Sequence, residues 1–190
     1  MTTMKKALLI CGVVAAFILL AWGWYMKTYN RLVRLEETVN SAWAQVENQL
    51  KRRYDLVPNL VNTVKGYAQH EEKVLTEVTD ARARVGSAQT VGDKISANRD
   101  LTSALGRLLV VTEAYPNLKA NENFMELQSQ LEGTENRIAT ERRRYNETVR
   151  MFNTTIRGFL EQFVARRMNM ERKPFFESDK AAEKAPEVKF

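Results

Sequence analysis

The stretch ALLICGVVAAFILLAWGWYMKTYNRLVRLEETVNSAWAQVENQLKRRYDLVP, residues 7–58, decides how the rest of the chain is read. Its first twenty residues, Ala7–Met26, carry no charge, and a helix needs about 20 apolar residues to cross the hydrocarbon core of a bilayer. Lys5 and Lys6 precede them, and Trp22, Trp24 and Tyr25 cluster at the far end; rings of that kind favour the membrane–water interface because they are amphipathic. The segment reads as a single transmembrane helix. Two other readings compete. A cleaved signal peptide would exit at Ala21-Trp22-Gly23, but bulky Trp residues crowd that site and the run is already long enough to span. A lipid acceptor at Cys11 wants a small residue where Ile10 stands, and only four apolar residues separate Lys6 from Cys11. Lys5 and Lys6 on one side nearly balance Lys27, Arg31 and Arg34 on the other, so the positive-inside count does not choose a side.

Beyond Met26, Leu32, Leu35, Val39, Trp43, Val46, Leu50 and Tyr54 recur at steps of three and four, which is one stripe of a helix. No Gly or Pro separates that stripe from Met26, so the span is expected to continue into it. Pro58 is expected to end it, because the residue before a proline resists the helical region, and Asp55 to cap the helix that follows. A second helix carries Val61, Val64, Ala68, Leu75, Val78 and Val85 and fades at Gly86. After a loop containing Gly92 and Asp93, a third carries Ile95, Leu101, Leu105, Leu108 and Leu109, reaching about Thr112 before Tyr115-Pro116 stops it. The fourth and longest starts from a cap at Asn121 or Asn123. It runs through Phe124, Leu127, Leu131, Ile138, Tyr145, Val149, Phe152, Ile156, Phe159 and Phe163 to about Arg167, with Gly133 and Gly158 as weak points. The expected fold is all-α: a transmembrane helix continuing into an antiparallel, up-and-down four-helix bundle. The corresponding division is a short leader at 1–6, a span at 7–26, a four-helix domain at 27–177 and a disordered Lys-, Glu- and Ala-rich tail at 178–190.

Composition excludes much chemistry. The 190 residues suit one domain, and a mean hydropathy of −0.41 is too low for a polytopic membrane protein. One Cys excludes a disulfide framework and a Cys-based zinc site, and one His, His70, excludes a multi-histidine metal centre and disfavours a Ser-His-Asp triad. The net charge of +6 admits an acidic partner without naming one.

Several runs resemble the LemA family. They are Ala42-Trp43, QLKRRYDLVPNLV (49–61), VKGYAQHE (64–71), EAYPNLKANENF (113–124), LEGTENRIA (131–139) and RRYNETV (143–149), with Tyr29-Asn30-Arg31-Leu32-Val33 and Pro174-Phe175-Phe176-Glu177 at the edges. The resemblance covers roughly residues 25–177 in the family's order. It implies a bacterial protein with one N-terminal transmembrane helix and a four-helix domain, no established enzymatic activity, no cofactor and an unsettled molecular role. Some members look like lipoproteins, and some are encoded beside a membrane metalloprotease of the HtpX type, which makes such a protease a candidate partner by analogy. Where many members have Phe-Pro, this chain has Phe159-Leu160, and leucine permits the helix to continue.

The apolar stripe contains charges. Glu135 and Arg142 share the face of Ile138, and the second helix places Glu71 and Arg82 in the same phase. A charge in a helical seam is costly unless paired, so Glu71, Arg82, Glu135 and Arg142 are expected to form a structural network reaching toward Asn136. The alternative rotates each to the solvated edge of the stripe. A hydrolase using Glu71 and Glu135 is a remote alternative, because arginine partners hold carboxylates ionised. The net positive charge has an address: Arg137–Lys173 holds ten Lys and Arg against four Glu, a balance of +6. The interleaved aromatics follow the apolar period and no nucleic-acid motif is present, so nucleic acid is not expected. In an up-and-down topology the fourth helix returns toward the membrane, and residues 122–167 would span about 69 Å against about 40 Å for 27–53. Its end is therefore expected to bend near Gly158 and to lie on an anionic membrane surface or a neighbouring subunit. Arg157, Phe159, Leu160, Phe163, Arg166, Arg167, Arg172, Lys173, Phe175 and Phe176 would form the contact. Arg52, Arg53, Tyr67, His70, Asn117 and Lys119 are candidate protein-contact residues, with a cap or a place in the bundle core as the alternative for each. The resulting expectation is a non-catalytic scaffold or adaptor, single-pass in the bacterial inner membrane with its domain leaning toward the periplasm. A self-assembling, membrane-remodelling homo-oligomer is the alternative.

Overall fold

A computed structural model describes residues 3–68 and 70–176 of the chain, with side chains from residue 8 onward; the tail expected at 178–190 lies outside the described residues. The regular elements among them are all helices: α1 (Thr3–Lys65), α2 (Glu72–Ser87), α3 (Val91–Thr112), α4 (Pro116–Lys119), α5 (Glu122–Thr155) and α6 (Glu161–Arg167). The all-α class follows from the three-and-four spacing of apolar residues. α1 is the one helix among the described residues long and apolar enough to cross a membrane, and none of the side chains of its apolar window is buried.

The described chain forms two compact units. One takes in the chain up to Ser41 together with Glu147–Lys173; the other takes in Ala42–Asn146 and the segment from Pro174. In the second unit the core is built from Val57, Leu60 and Val64 of α1, Leu75, Val78 and Ala81 of α2, and Leu101, Ala104 and Leu108 of α3. Leu118 of α4 and Phe124 and Leu131 of α5 complete it. Gly86 allows α2 to approach α1 closely, since a Cβ there would meet the Tyr54 hydroxyl at 3.1 Å. In the first unit, Leu32 and Val39 of α1 are buried, as are Val149 and Phe152 of α5 and Val164 and Ala165 of α6.

Three helix boundaries differ from expectation. Pro58 does not end α1, which continues to Lys65, so Asp55 lies inside a helix and caps nothing. A proline in a helix leaves the carbonyl four residues earlier without its N–H donor. That carbonyl belongs to Tyr54, and Arg82 of α2 donates its Nε–H to it at 3.1 Å, with its guanidinium 3.9 Å above the Tyr54 ring. α3 begins earlier than its apolar pattern, at Val91, because Thr90 and Asp93 form a capping box: the Asp93 N–H donates to Thr90 Oγ1 at 3.1 Å. At the far end, α5 stops at Thr155 and the chain turns through Ile156–Leu160 before α6, so leucine at 160 does not carry the long helix through. The bend expected near Gly158 is there. Of the two expected caps for α5, Asn121 is the one used, its Oδ1 accepting the Phe124 N–H at 3.0 Å.

Candidate functional site

The second unit holds a buried cation. Arg53, 2% exposed, is placed by α1 among α3 and α5. It donates to Asn98 Oδ1 at 2.9 Å, the Asn98 carbonyl at 3.1 Å, Thr102 Oγ1 at 2.7 Å and Glu135 Oε2 at 2.8 Å. Asn98 is itself oriented by donating Nδ2–H to the Lys94 carbonyl at 2.8 Å, and Lys94 pairs with Glu47 of α1. Burial lowers the basicity of the Arg53 guanidinium, and the charge and hydrogen bond of Glu135 work in the opposite direction. Asn98, Arg99, Glu135 and Arg142 share with Arg53 a cavity of about 50 Å³. That is room for a few water molecules, well below the several hundred Å³ of a small-molecule site.

The expected four-residue network is replaced by separate partners. Glu135 pairs with Arg53, and of the two places open to that contact candidate, surface or core, the core is the one it takes. Arg82 fills the vacancy at Tyr54. Glu71 accepts the Tyr115 hydroxyl at 2.9 Å, a bond that raises the tyrosine pKa above its ordinary value. Arg142 lies over the Phe176 ring at 5.9 Å, and Asn136 accepts the Thr140 hydroxyl through its backbone carbonyl. Sequence spacing had no means of choosing partners between helices.

The α1–α2 and α3–α5 connections of the second unit meet through their side chains. Asn121 Nδ2 donates to the Tyr67 hydroxyl at 3.0 Å beside the Tyr115–Glu71 bond. Arg52, Tyr67, His70, Asn117 and Lys119 are exposed, and Lys119 pairs with Glu113 at 2.6 Å. The four of these on the α1–α2 and α3–α5 connections thus border one clasped surface.

Asparagine clamps on α5 hold the chain that follows α6. In the first unit Asn153 Oδ1 accepts the Lys173 N–H and its Nδ2 donates to the Lys173 carbonyl, both at 2.9 Å. Lys173 also pairs with Glu36 at 2.7 Å and lies 5.6 Å over the Phe152 ring. In the second unit Asn146 grips the Phe176 backbone in the same two-bond manner, both at 2.8 Å, and Tyr145 donates to the Pro174 carbonyl at 2.9 Å. Burial pushes the Tyr145 pKa up to about 12. Two members of the expected membrane-contact set are therefore corrected: Phe176 is buried, and Lys173 is engaged within its own unit. Arg157, Phe159, Leu160, Phe163, Arg166, Arg167, Arg172 and Phe175 are exposed. The clamps were missed in the sequence, where Asn146 and Asn153 carried one available signal, a seven-residue spacing beside apolar Tyr145 and Phe152.

The profile of the LemA family matches residues 42–190, which include the Arg53–Glu135 pair, the clasp and the Asn146 clamp. The chain belongs to the LemA family. Protein LemA of Metamycoplasma hominis is 24% identical over 157 residues, covering 81% of this chain and 71% of its own. Magnetosome protein MamQ 2 of Paramagnetospirillum magneticum is 24% identical over 203 residues, covering 93% of this chain and 74% of its own. Magnetosome protein MamQ of Magnetospirillum gryphiswaldense is 23% identical over 181 residues, covering 82% and 66% respectively.

Proposed function

We propose that this LemA-family protein is a non-catalytic adaptor of the bacterial cell envelope, anchored by α1 in the inner membrane and presenting the clasped surface of its second unit to a protein partner. The observation that carries the reading is the dual use of α1. One helix supplies both an exposed apolar segment of bilayer length and core residues Val57, Leu60 and Val64 of a packed unit. A tether of that kind raises the local concentration of the attached surface near its membrane partners. The two carboxylates of the hydrolase alternative, Glu71 and Glu135, are committed to Tyr115 and Arg53, which supports a structural role for both. The domain is assigned to the periplasmic side, in line with the lipoprotein-like members of the family, and a membrane protease of the HtpX type is the first partner to test.

Photo-crosslinking in cells tests the reading, with the reactive residue placed at Tyr67, His70 or Lys119 and, as a control, at exposed Arg84 of α2. The expected result is one shared membrane neighbour captured from the three clasp positions and not from Arg84. Identical capture from all four positions, or recovery of the full chain in the soluble fraction, overturns it. The topology of the captured neighbour gives the side of the membrane.

A further inference from the structure

The turn between α5 and α6 exposes what a soluble surface ordinarily hides. α6 buries Val164 and Ala165 and leaves Phe163 60% exposed; the turn before it leaves Phe159 79% exposed and Leu160 half-exposed. The two rings pack edge-to-face on each other with centroids 6.5 Å apart. Exposed Arg157, Arg166, Arg167 and Arg172 flank them, against exposed Glu171 and a Glu161 that is paired with Arg31 at 3.6 Å. An apolar cluster rimmed by arginines is complementary to a surface that is greasy beneath and anionic on top.

Its place in the fold points the same way. α6 and the N-terminal part of α1 belong to the same compact unit. The Glu161–Arg31 pair sets the start of α6 beside a residue five positions past Met26, about 7.5 Å along the helix axis from the end of the apolar span. Thr28, two residues past Met26, is already buried. Around it, Trp22, Tyr25 and Tyr29 form a ladder with successive ring separations of 6.3 and 6.4 Å, the ring types that settle at headgroup level. The turn and α6 therefore sit within the depth of a headgroup layer of the end of the span. The chain supports this placement locally: α6 closes in a Schellman motif, with Asn169 at φ 52°, its N–H on the Arg166 carbonyl at 3.2 Å and the Met170 N–H on the Ala165 carbonyl at 3.0 Å.

We propose that residues 156–167 are a second membrane contact. Phe159, Leu160 and Phe163 enter the headgroup–acyl boundary of the bilayer that α1 crosses, and the surrounding arginines bind the phosphates of anionic lipids. The proposal rests on α1 spanning that bilayer. Its test uses the full chain in nanodiscs holding one copy each, either wholly zwitterionic or part anionic, with a spin label whose collisions with oxygen and with a water-soluble nickel complex report depth. A label on native Cys11 reports the anchor. With Cys11→Ala, labels at Phe163→Cys and Leu160→Cys report the turn, and one at Met125→Cys, exposed in the second unit, reports bulk water. Labels at 160 and 163 are expected about 5–10 Å into the boundary, losing most of their collisions with nickel while Met125→Cys keeps them. Arg166→Glu/Arg167→Glu is expected to make the label at 163 shallower in anionic discs alone. Nickel access at 160 and 163 equal to that at 125, with Cys11 still buried, overturns the docking while leaving the anchor standing; an accessible Cys11 overturns the anchor. Shielding that appears only in discs with two copies makes a second chain the occupant and overturns the lipid assignment.

Discussion

Replacing Glu135 by Gln isolates one question: how far the buried Arg53 depends on its counter-charge. The amide keeps an oxygen acceptor in place, so the substitution removes charge and little shape. Arg53 has 3% of its side chain exposed and Glu135 has 49%. Taking the partner from a fully buried pair costs about 3–5 kcal/mol, and an exposed pair contributes about 0–1 kcal/mol. With one partner interior and the other half in water, the expected cost is about 2 kcal/mol. At about 2–4 °C per kcal/mol for a chain of this size, the melting midpoint of the full-length protein in detergent should fall by about 4–8 °C. Arg53→Ala should cost more, about 3–5 kcal/mol, because four hydrogen bonds at 2.7–3.1 Å vanish together with a buried stem. The double substitution should cost less than the two singles summed, since the charge that Glu135 compensates is then gone. Glu132→Gln, at an exposed glutamate one turn away that bonds only at the surface with Gln128, is the control. If Glu135→Gln and Glu132→Gln lower the midpoint equally, the claim that Glu135 holds Arg53 in the interior is wrong.

Four further outcomes follow from named contacts. Arg82→Met should destabilise by about 1–2 kcal/mol, and by about 1 kcal/mol less in a Pro58→Ala background, where residue 58 regains an N–H for the Tyr54 carbonyl; strict additivity in urea unfolding would refute the plug. Tyr145 has its pKa raised from 10.0 to about 12, so the native state retains a proton that the unfolded state gives up between those values. Stability from this group is whole below pH 10 and is lost as pH rises toward 12, and Tyr145→Phe should flatten the decline relative to wild type. Asn153→Ala should speed hydrogen exchange at the Lys173 amide, and Asn146→Ala that at the Phe176 amide; unchanged exchange would remove the clamps. Asn169→Ala should lower the thermal midpoint by the equivalent of about 1 kcal/mol while Asn169→Gly preserves it, because only small or locally hydrogen-bonding residues take the left-handed region cheaply.

Repulsion of water from apolar stripes was legible without a structure. The spacing of Leu32 through Tyr54 and of Phe124 through Ile156 named the faces that are buried, and Leu32, Val39, Val46, Leu50, Phe124, Ile138 and Phe152 are all interior. The uncharged run of Ala7–Met26 announced a helix of bilayer length, and Gly158 marked the bend. These properties depend on a residue and its neighbours within a few turns. The errors have the opposite character. Pro58 reads locally as a stop, yet α1 passes through it because Arg82, twenty-four residues away, supplies the missing donor. Arg53 reads locally as a contact residue or a core residue alike, and it is interior because Asn98, Thr102 and Glu135 arrive from α3 and α5.

The sequence by itself determined the all-α class and which apolar stripes avoid water, since helical periodicity and burial of apolar area are additive along a short window. Only the tertiary structure decided where the charges go. Glu71, Arg82, Glu135 and Arg142 each took a different partner, and Asn146 and Asn153 found backbone thirty and twenty residues downstream. A buried polar group is stable only when a donor or acceptor lies within about 3 Å at the right angle, and that condition is met by packing between helices rather than by the order of residues along one of them.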